Sequence, residues 1–156
     1  MNTTDNAQSQ AKAQANSIAA MVAAVNLDWD RLDELRNTDF DALDPAEIEE
    51  LQELNDAAGE YEDREDAERA ISEDPLSVEV RSSWHSIGET LEPSEFQILL
   101  CTGGPACRIV GELDEHNQPS RAWIEYQDCC TPWTQAFNVI EQGTLLAYCS
   151  QFYFGE

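Results

Sequence analysis

Asp74-Pro75-Leu76-Ser77-Val78-Glu79-Val80-Arg81-Ser82-Ser83-Trp84 is where the chain changes its hydrophobic period, and that change decides the fold class. Upstream, apolar residues recur every three or four positions. Downstream they alternate every two or run together, with β-branched types enriched. Proline at 75 cannot continue a helix, and it drives the residue before it towards extended backbone. Residues 77–84, 96–102, 106–113 and 121–127 then read as four strands. Val78 and Val80 alternate in the first, and Phe96-Gln97-Ile98-Leu99-Leu100-Cys101 is a nearly continuous apolar run in the second. Gly103-Gly104-Pro105 and the polar loop 114–119 supply short connections, so an antiparallel meander is the economical topology. Residues 142–152 read as a last helix or a fifth strand; Leu145, Leu146, Tyr148, Cys149 and Phe152 suit a helix closing one face of the sheet.

The other side of Pro75 is helical. Residues 7–26 are alanine-rich and free of proline and glycine, with Ile18, Met21, Val22 and Val25 on one face and Asn26 as a stop. The first ten residues are polar and expected to fray. A short helix over 28–37 turns Trp29, Leu32 and Leu35 inward and carries its acids early, where the helix dipole favours them. Asp44-Pro45 is the clearest helix start: an N-cap acid, proline at the first helical position, and Glu47 placed for a capping box. Ile48, Leu51, Leu54, Ala58 and Tyr61 mark its apolar stripe, Gly59 ends or kinks it, and a further helical stretch covers 60–72. The expected architecture is α+β. An acidic helical region, 1–74, packs on or is appended to a four- to five-stranded antiparallel sheet region, 75–156, with a C-terminal helix or strand, all in one compact unit.

Charge is the most informative property for function. The chain has 32 acidic and 8 basic residues, a net charge of −24. Twenty of those acids lie between Asp28 and Asp74, accompanied by four arginines and no lysine. Like charges at helical spacing repel, and their summed repulsion works against the compact state. Such a composition points to a basic partner surface, most often one built to hold nucleic acid. The same balance excludes direct nucleic-acid binding, since the few scattered cations cannot neutralise a run of phosphates. It also excludes a polybasic membrane patch. On the helix from Pro45, Glu49, Glu53, Asp56, Glu60 and Asp63 read as one stripe opposite the apolar face, with Asp66 following, and these six are the candidate partner-binding residues. Solvated faces usually mix lysine with glutamate, and the chain's one lysine is Lys12.

Other chemistry finds little support. Cys101, Cys107, Cys129, Cys130 and Cys149 lack zinc-type spacing, and His85 and His116 stand alone, so the thiols read as small hydrophobes and no metal or other cofactor is expected. The paired acids Asp28/Asp30, Asp39/Asp41 and Glu62/Asp63 fit no calcium loop. No nucleophile elbow, phosphate loop or dinucleotide fingerprint occurs, and Pro105 removes an N–H that a phosphate cradle would use. No catalytic residue is expected. Trp84, Trp123, Tyr126 and Trp133 read as core fillers of the sheet region. No secretory leader is expected from the polar first residues, and no apolar run is long enough to span a bilayer, so the expected location is the cytoplasm.

Several stretches of the sheet region carry a resemblance. They are Pro75 to Trp84 as quoted above, Cys101-Thr102-Gly103-Gly104-Pro105, Gly111-Glu112-Leu113-Asp114-Glu115, Arg121-Ala122-Trp123, Thr131-Pro132-Trp133 and Phe152-Tyr153-Phe154-Gly155-Glu156. Together they resemble a family of small acidic proteins carried by bacterial phages and integrative elements. The resemblance covers most of the chain and is strongest from Pro75 onward. It implies a mobile-element origin, a host bacterial cytoplasm and an anti-CRISPR or anti-restriction role, some such proteins acting by mimicking DNA. Family members usually have an aromatic near Cys129, so the Cys129-Cys130 pair departs from the pattern and argues against a shared catalytic cysteine. The leading expectation is a stoichiometric inhibitor, anti-CRISPR in type. Its acidic helices would bind a basic protein or ribonucleoprotein defence complex and block DNA loading or nuclease recruitment. The alternatives are a non-inhibitory adaptor or regulatory interaction protein of the mobile element, or an anti-restriction DNA mimic, and a cysteine hydrolase ranks last.

Overall fold

The computed structural model describes residues 3–129 and 131–155, so the Cys130 half of the cysteine pair lies outside the described residues. The chain runs α1 (Thr3–Val25), α2 (Trp29–Asn37), one 3-10 turn (Phe40–Ala42), α3 (Pro45–Ala58), α4 (Arg64–Glu73), β1 (Ser77–Ser82), β2 (Pro93–Cys101), β3 (Ala106–Leu113), β4 (Pro119–Gln127), β5 (Thr134–Ala136) and α5 (Gln142–Cys149). The five strands form one antiparallel sheet in sequence order, β1-β2-β3-β4-β5. The α+β meander is therefore as expected. The 142–152 segment resolves to a helix, and the fifth strand is the three-residue β5, whose sequence is too short to announce itself.

α1 departs from expectation at its start. It begins at Thr3, and Ala7, Ala11, Ala15 and Ile18 are all buried in one line that continues to Met21, Val22 and Val25. Alanine is the best helix former and contributes a small methyl to the buried face, so a stretch that looks polar in sum still carries a buried stripe at four-residue spacing. α1 packs over β3, β4 and β5, and also against α4 and α5. The principal core draws Ile18 and Val22 from α1, Ala67 and Ile71 from α4, Phe96, Ile98, Ile109 and Ile124 from the sheet, and Leu145, Tyr148 and Cys149 from α5. Both regions of the chain thus share one core. A smaller cluster of Leu27, Trp29, Leu32 and Ala58, with Leu51 and Leu54 against it, joins α2 to α3.

The caps follow the sequence closely. Asp44 accepts the Glu47 N–H at 2.8 Å while the Glu47 carboxylate accepts the Asp44 N–H at 3.3 Å, completing the capping box. α3 stops at Gly59, whose φ of 59° is open to glycine at little cost. The next helix does not begin until Arg64, so the helix expected over 60–72 starts four residues late. Gly59 and the turn after it redirect the chain rather than kinking a continuous helix.

The tryptophans also fall differently. Trp29 is buried, with its indole N–H donating to the Ala24 carbonyl at 2.8 Å. Trp84, read as a core filler, is fully exposed, and Trp123 and Trp133 are half-buried away from the core. Tyr126 is half-buried against the core edge. A period-two strand cannot say which of its faces the helices will cover, and here Trp123 lies on the other one.

Candidate functional site

The acidic surface is built by α2, α3, α4 and the turns between them. Its arginines decide which carboxylates are left to act. Arg31 on α2 reaches across to α3 and donates two hydrogen bonds to Glu50, at 3.0 and 2.9 Å, with Glu34 at 3.2 Å. Glu47 stands 4.0 Å from the same guanidinium. Hydrogen bonding from Arg31 holds the Glu50 carboxyl below its usual range, and donating to Glu50 and Glu34 holds the guanidinium above its own. Arg36 makes a parallel link, donating twice to the Asn55 side-chain oxygen at 3.1 and 2.7 Å. Two of the block's arginines are thereby spent fastening α2 to α3, and Arg31 offsets part of the charge of Glu34, Glu47 and Glu50.

Glu49, Glu53 and Asp56 stand on the remaining side of α3. All three are exposed, and none makes a hydrogen bond or ion pair among the described residues. Steps of four and three residues at ~1.5 Å rise separate them by about 6 and 4.5 Å along the axis. A nucleic-acid strand presents a phosphate every ~3.4 Å of axis, so the row is a coarse stand-in for a backbone.

The other three candidates do not extend that row. Glu60 lies beyond Gly59, and with Asp66 it borders a shallow depression lined also by Tyr61, Arg69, Ala70 and Glu73. Asp66 is occupied there, accepting the Glu62 N–H at 3.2 Å and lying 3.5 Å from Arg69. The Tyr61 phenol is raised by burial and by the charges of Glu60, Asp74 and Asp66. Asp63 is the N-cap of α4, accepting the Asp66 N–H at 2.8 Å. It sits instead beside Asp28, Asp30 and Glu65, where the N-termini of α2 and α4 meet. The stripe of five and the Asp66 that follows it resolve into three outer residues on α3, a pair beside Tyr61, and one capping acid. A continuous helical period was assumed through residue 59, and the positive φ there ends it.

One arrangement had no signal in the sequence. The face of the sheet away from the helices carries Arg81, Arg108 and Arg121, and each is paired. Arg108 donates to Glu125 at 2.8 Å and to Gln97 at 2.9 Å, and lies 4.0 Å over the Trp133 ring. Trp123 donates to the other Glu125 oxygen at 3.0 Å and lies 5.0 Å from Arg121, which also approaches Glu112 at 3.8 Å. Arg81 is paired with Glu95. Cross-strand register produces these partners, with Arg108 opposite Glu125, Glu112 opposite Arg121 and Arg81 opposite Glu95. A scan for motifs within one segment cannot see them.

Of the thiols, Cys107 and Cys149 are buried in the core. Burial pushes Cys107 up to about 12 and raises Cys149 as well, so both are held as protonated packing groups near neutral pH. Cys101 is half-buried and raised by burial, and Cys129 is exposed. No group of residues arranged to hold a metal occurs among the described residues, nor does a helix long and apolar enough to cross a membrane. No protein-family model matches this chain, and no curated protein or solved structure matches it either.

Proposed function

We propose that this protein is a stoichiometric inhibitor of a host defence complex, anti-CRISPR in type. Its acidic helical face occupies a basic surface that would otherwise hold nucleic acid. The observation that carries this reading is the sorting of charge on α3. The acids facing α2 share Arg31 as a counter-charge, while Glu49, Glu53 and Asp56 are left exposed and without one. Leaving three such charges in line contributes nothing to the fold, and a lysine at any of the three would relieve repulsion. A partner rich in lysine and arginine would supply the missing counter-charge and gain orientation and association rate from it. The resemblance of the sheet region to proteins of phages and integrative elements supports the defence setting, in a bacterial cytoplasm.

The test is competition. Added to a purified surveillance complex or restriction enzyme that it recognises, the protein should reduce DNA loading, less so as salt rises. The variant Glu49→Lys/Glu53→Lys/Asp56→Lys should lose at least about tenfold in inhibition. Full inhibition by that folded variant would overturn the reading. DNA loading that proceeds normally while nuclease activity is lost would move the point of action to nuclease recruitment.

A further inference from the structure

The β1 edge is left bare by the elements that cover the rest of the sheet. α1 lies over β3, β4 and β5, and α5 over β4, so the helical layer stops short of β1. Val78 and Val80 pair with Ile98 and Phe96 and share their face. Those two partners are buried, yet Val78 is 37% exposed, Val80 46% and Leu76 61%, and Trp84 stands fully exposed just past the strand. On the opposite face Glu79 and Arg81 are exposed two positions apart. No strand among the described residues lies beyond β1, so its outer row of N–H and C=O groups has no ladder partner. Just before β1 the Leu76 N–H donates to the Leu99 carbonyl at 2.8 Å, one residue out of the ladder register that pairs Ser77 with Leu99. Natural edge strands are usually blunted with lysine, proline, a bulge or a covering element. The stretch from Leu76 to Ser82 has no lysine and no proline, and its one irregularity lies at the far end, between Arg81 and Ser82.

We infer that β1 is a dimerisation edge. Two copies join β1 to β1 antiparallel about a twofold axis through Val80, making one continuous sheet across both. The residue pattern selects this register over its neighbours. A twofold normal to the sheet sets one residue against its own copy. An axis at Glu79 opposes two glutamates, and an axis at Arg81 opposes two arginines. With the axis at Val80, Glu79 of each copy faces Arg81 of the other, and each Arg81 is then shared between that Glu79 and the Glu95 of its own chain. On the other face Val80 meets Val80, and the regular alternation ends at the irregularity between Arg81 and Ser82. The pairs made by residues 79, 80 and 81 are then compatible in charge and polarity.

Two chains of charge −24 repel as they approach, and salt screens that repulsion. Self-association therefore tightens as salt rises, opposite in sign to docking on a basic partner, so the two readings succeed or fail separately.

Sedimentation equilibrium of the full chain, from micromolar to millimolar concentration and at several ionic strengths, tests the inference. The expected result is a mass rising to that of two chains, at lower concentration when salt is higher. Val80→Lys puts two ammonium groups at the axis and should weaken the dimer at least about tenfold. Glu79→Arg should weaken it as well, and Glu79→Arg/Arg81→Glu should restore most of the loss. All three positions are exposed, and circular dichroism with the unfolding midpoint checks that each variant is folded. A single-chain mass throughout overturns the inference, as does a dimer indifferent to Val80→Lys or not restored by the charge swap. A monomeric chain whose Val80→Lys variant no longer binds its basic partner would give this edge to that partner and likewise overturn the dimer.

Discussion

The Tyr148 hydroxyl on α5 donates a 2.7 Å hydrogen bond to the Asp74 carboxylate at the end of α4. These residues are 74 positions apart and belong to the two halves of the chain, so the bond ties the last helix of the acidic region to the helix that closes the sheet. Tyr148 is fully buried and stacks edge-on against Phe152 with ring centroids 5.5 Å apart. Tyr148→Phe keeps that packing and removes only the hydroxyl. It should cost about 2 kcal/mol, the scale of a hydrogen bond to a charged group. Urea unfolding followed by tryptophan fluorescence should show a lower midpoint with an unchanged slope. An unchanged midpoint would mean that Asp74 is equally well served by water.

Gly111 is a second tie of the same kind, inside the sheet. It pairs with Phe96, and a Cβ placed on it would lie 2.3 Å from the Phe96 ring and 2.4 Å from the Arg121 carbonyl oxygen. Phe96 cannot move freely, because its ring packs at 4.6 Å on Phe154. Gly111→Ala should therefore destabilise by about 1–3 kcal/mol or more, as overpacking does. Thermal unfolding of the variant checks it, and a shift smaller than that of Gly143→Ala, where the space is open, would contradict the packing argument.

The strands of the meander and the Asp44-Pro45 helix start were legible because each rests on a local rule: period, cap or turn. What escaped the sequence depended on distance. Nothing local says that Ala7 and Ala11 face a sheet, that Gly111 exists to admit Phe96, or that Arg31 takes Glu50 nineteen residues on. For the candidate site, exposure of Glu49, Glu53 and Asp56 followed from the helical period. Asp63 and Asp66 lie off that row because each accepts a backbone N–H around the start of α4. Which acids keep a counter-charge depends on where two arginines land, which is a tertiary fact.

Alkaline pH should unfold the protein through its buried thiols. Burial, with the neighbouring Cys101 charge adding to it, lifts Cys107 from 9.0 to about 12. The folded state thus holds a proton that the unfolded chain releases. The associated stability is complete below about pH 9 and is lost as pH rises towards about 12, on the order of 4 kcal/mol at the full shift. Cys149 and Tyr148 are raised by burial too and act in the same direction. Urea denaturation at stepped pH should show stability falling through this window. Cys107→Ala should be less stable at neutral pH, by about 1 kcal/mol, yet lose less on going alkaline. An equal alkaline slope in both proteins would remove Cys107 from the account.

The division of acids on α3 makes opposite predictions for neighbouring residues. Arg31→Met withdraws the guanidinium that joins α2 to Glu34, Glu47 and Glu50, leaving those carboxylates to repel one another, and should lower the unfolding midpoint. Glu49→Lys/Glu53→Lys/Asp56→Lys breaks no contact and changes the net charge by six, from −24 to −18, so its midpoint should stay level or rise. Salt separates the two causes. Added salt screens the repulsion of the whole block and should raise the wild-type midpoint, while the triple lysine variant gains less because less repulsion remains. Arg31→Met should gain more than wild type, since it exposes a new set of like charges. Thermal scans of the three proteins across ionic strength give the comparison. Equal salt responses in all three would mean that the block's self-repulsion is already relieved by bound counter-ions, and the charge on α3 would then be no handicap needing a partner.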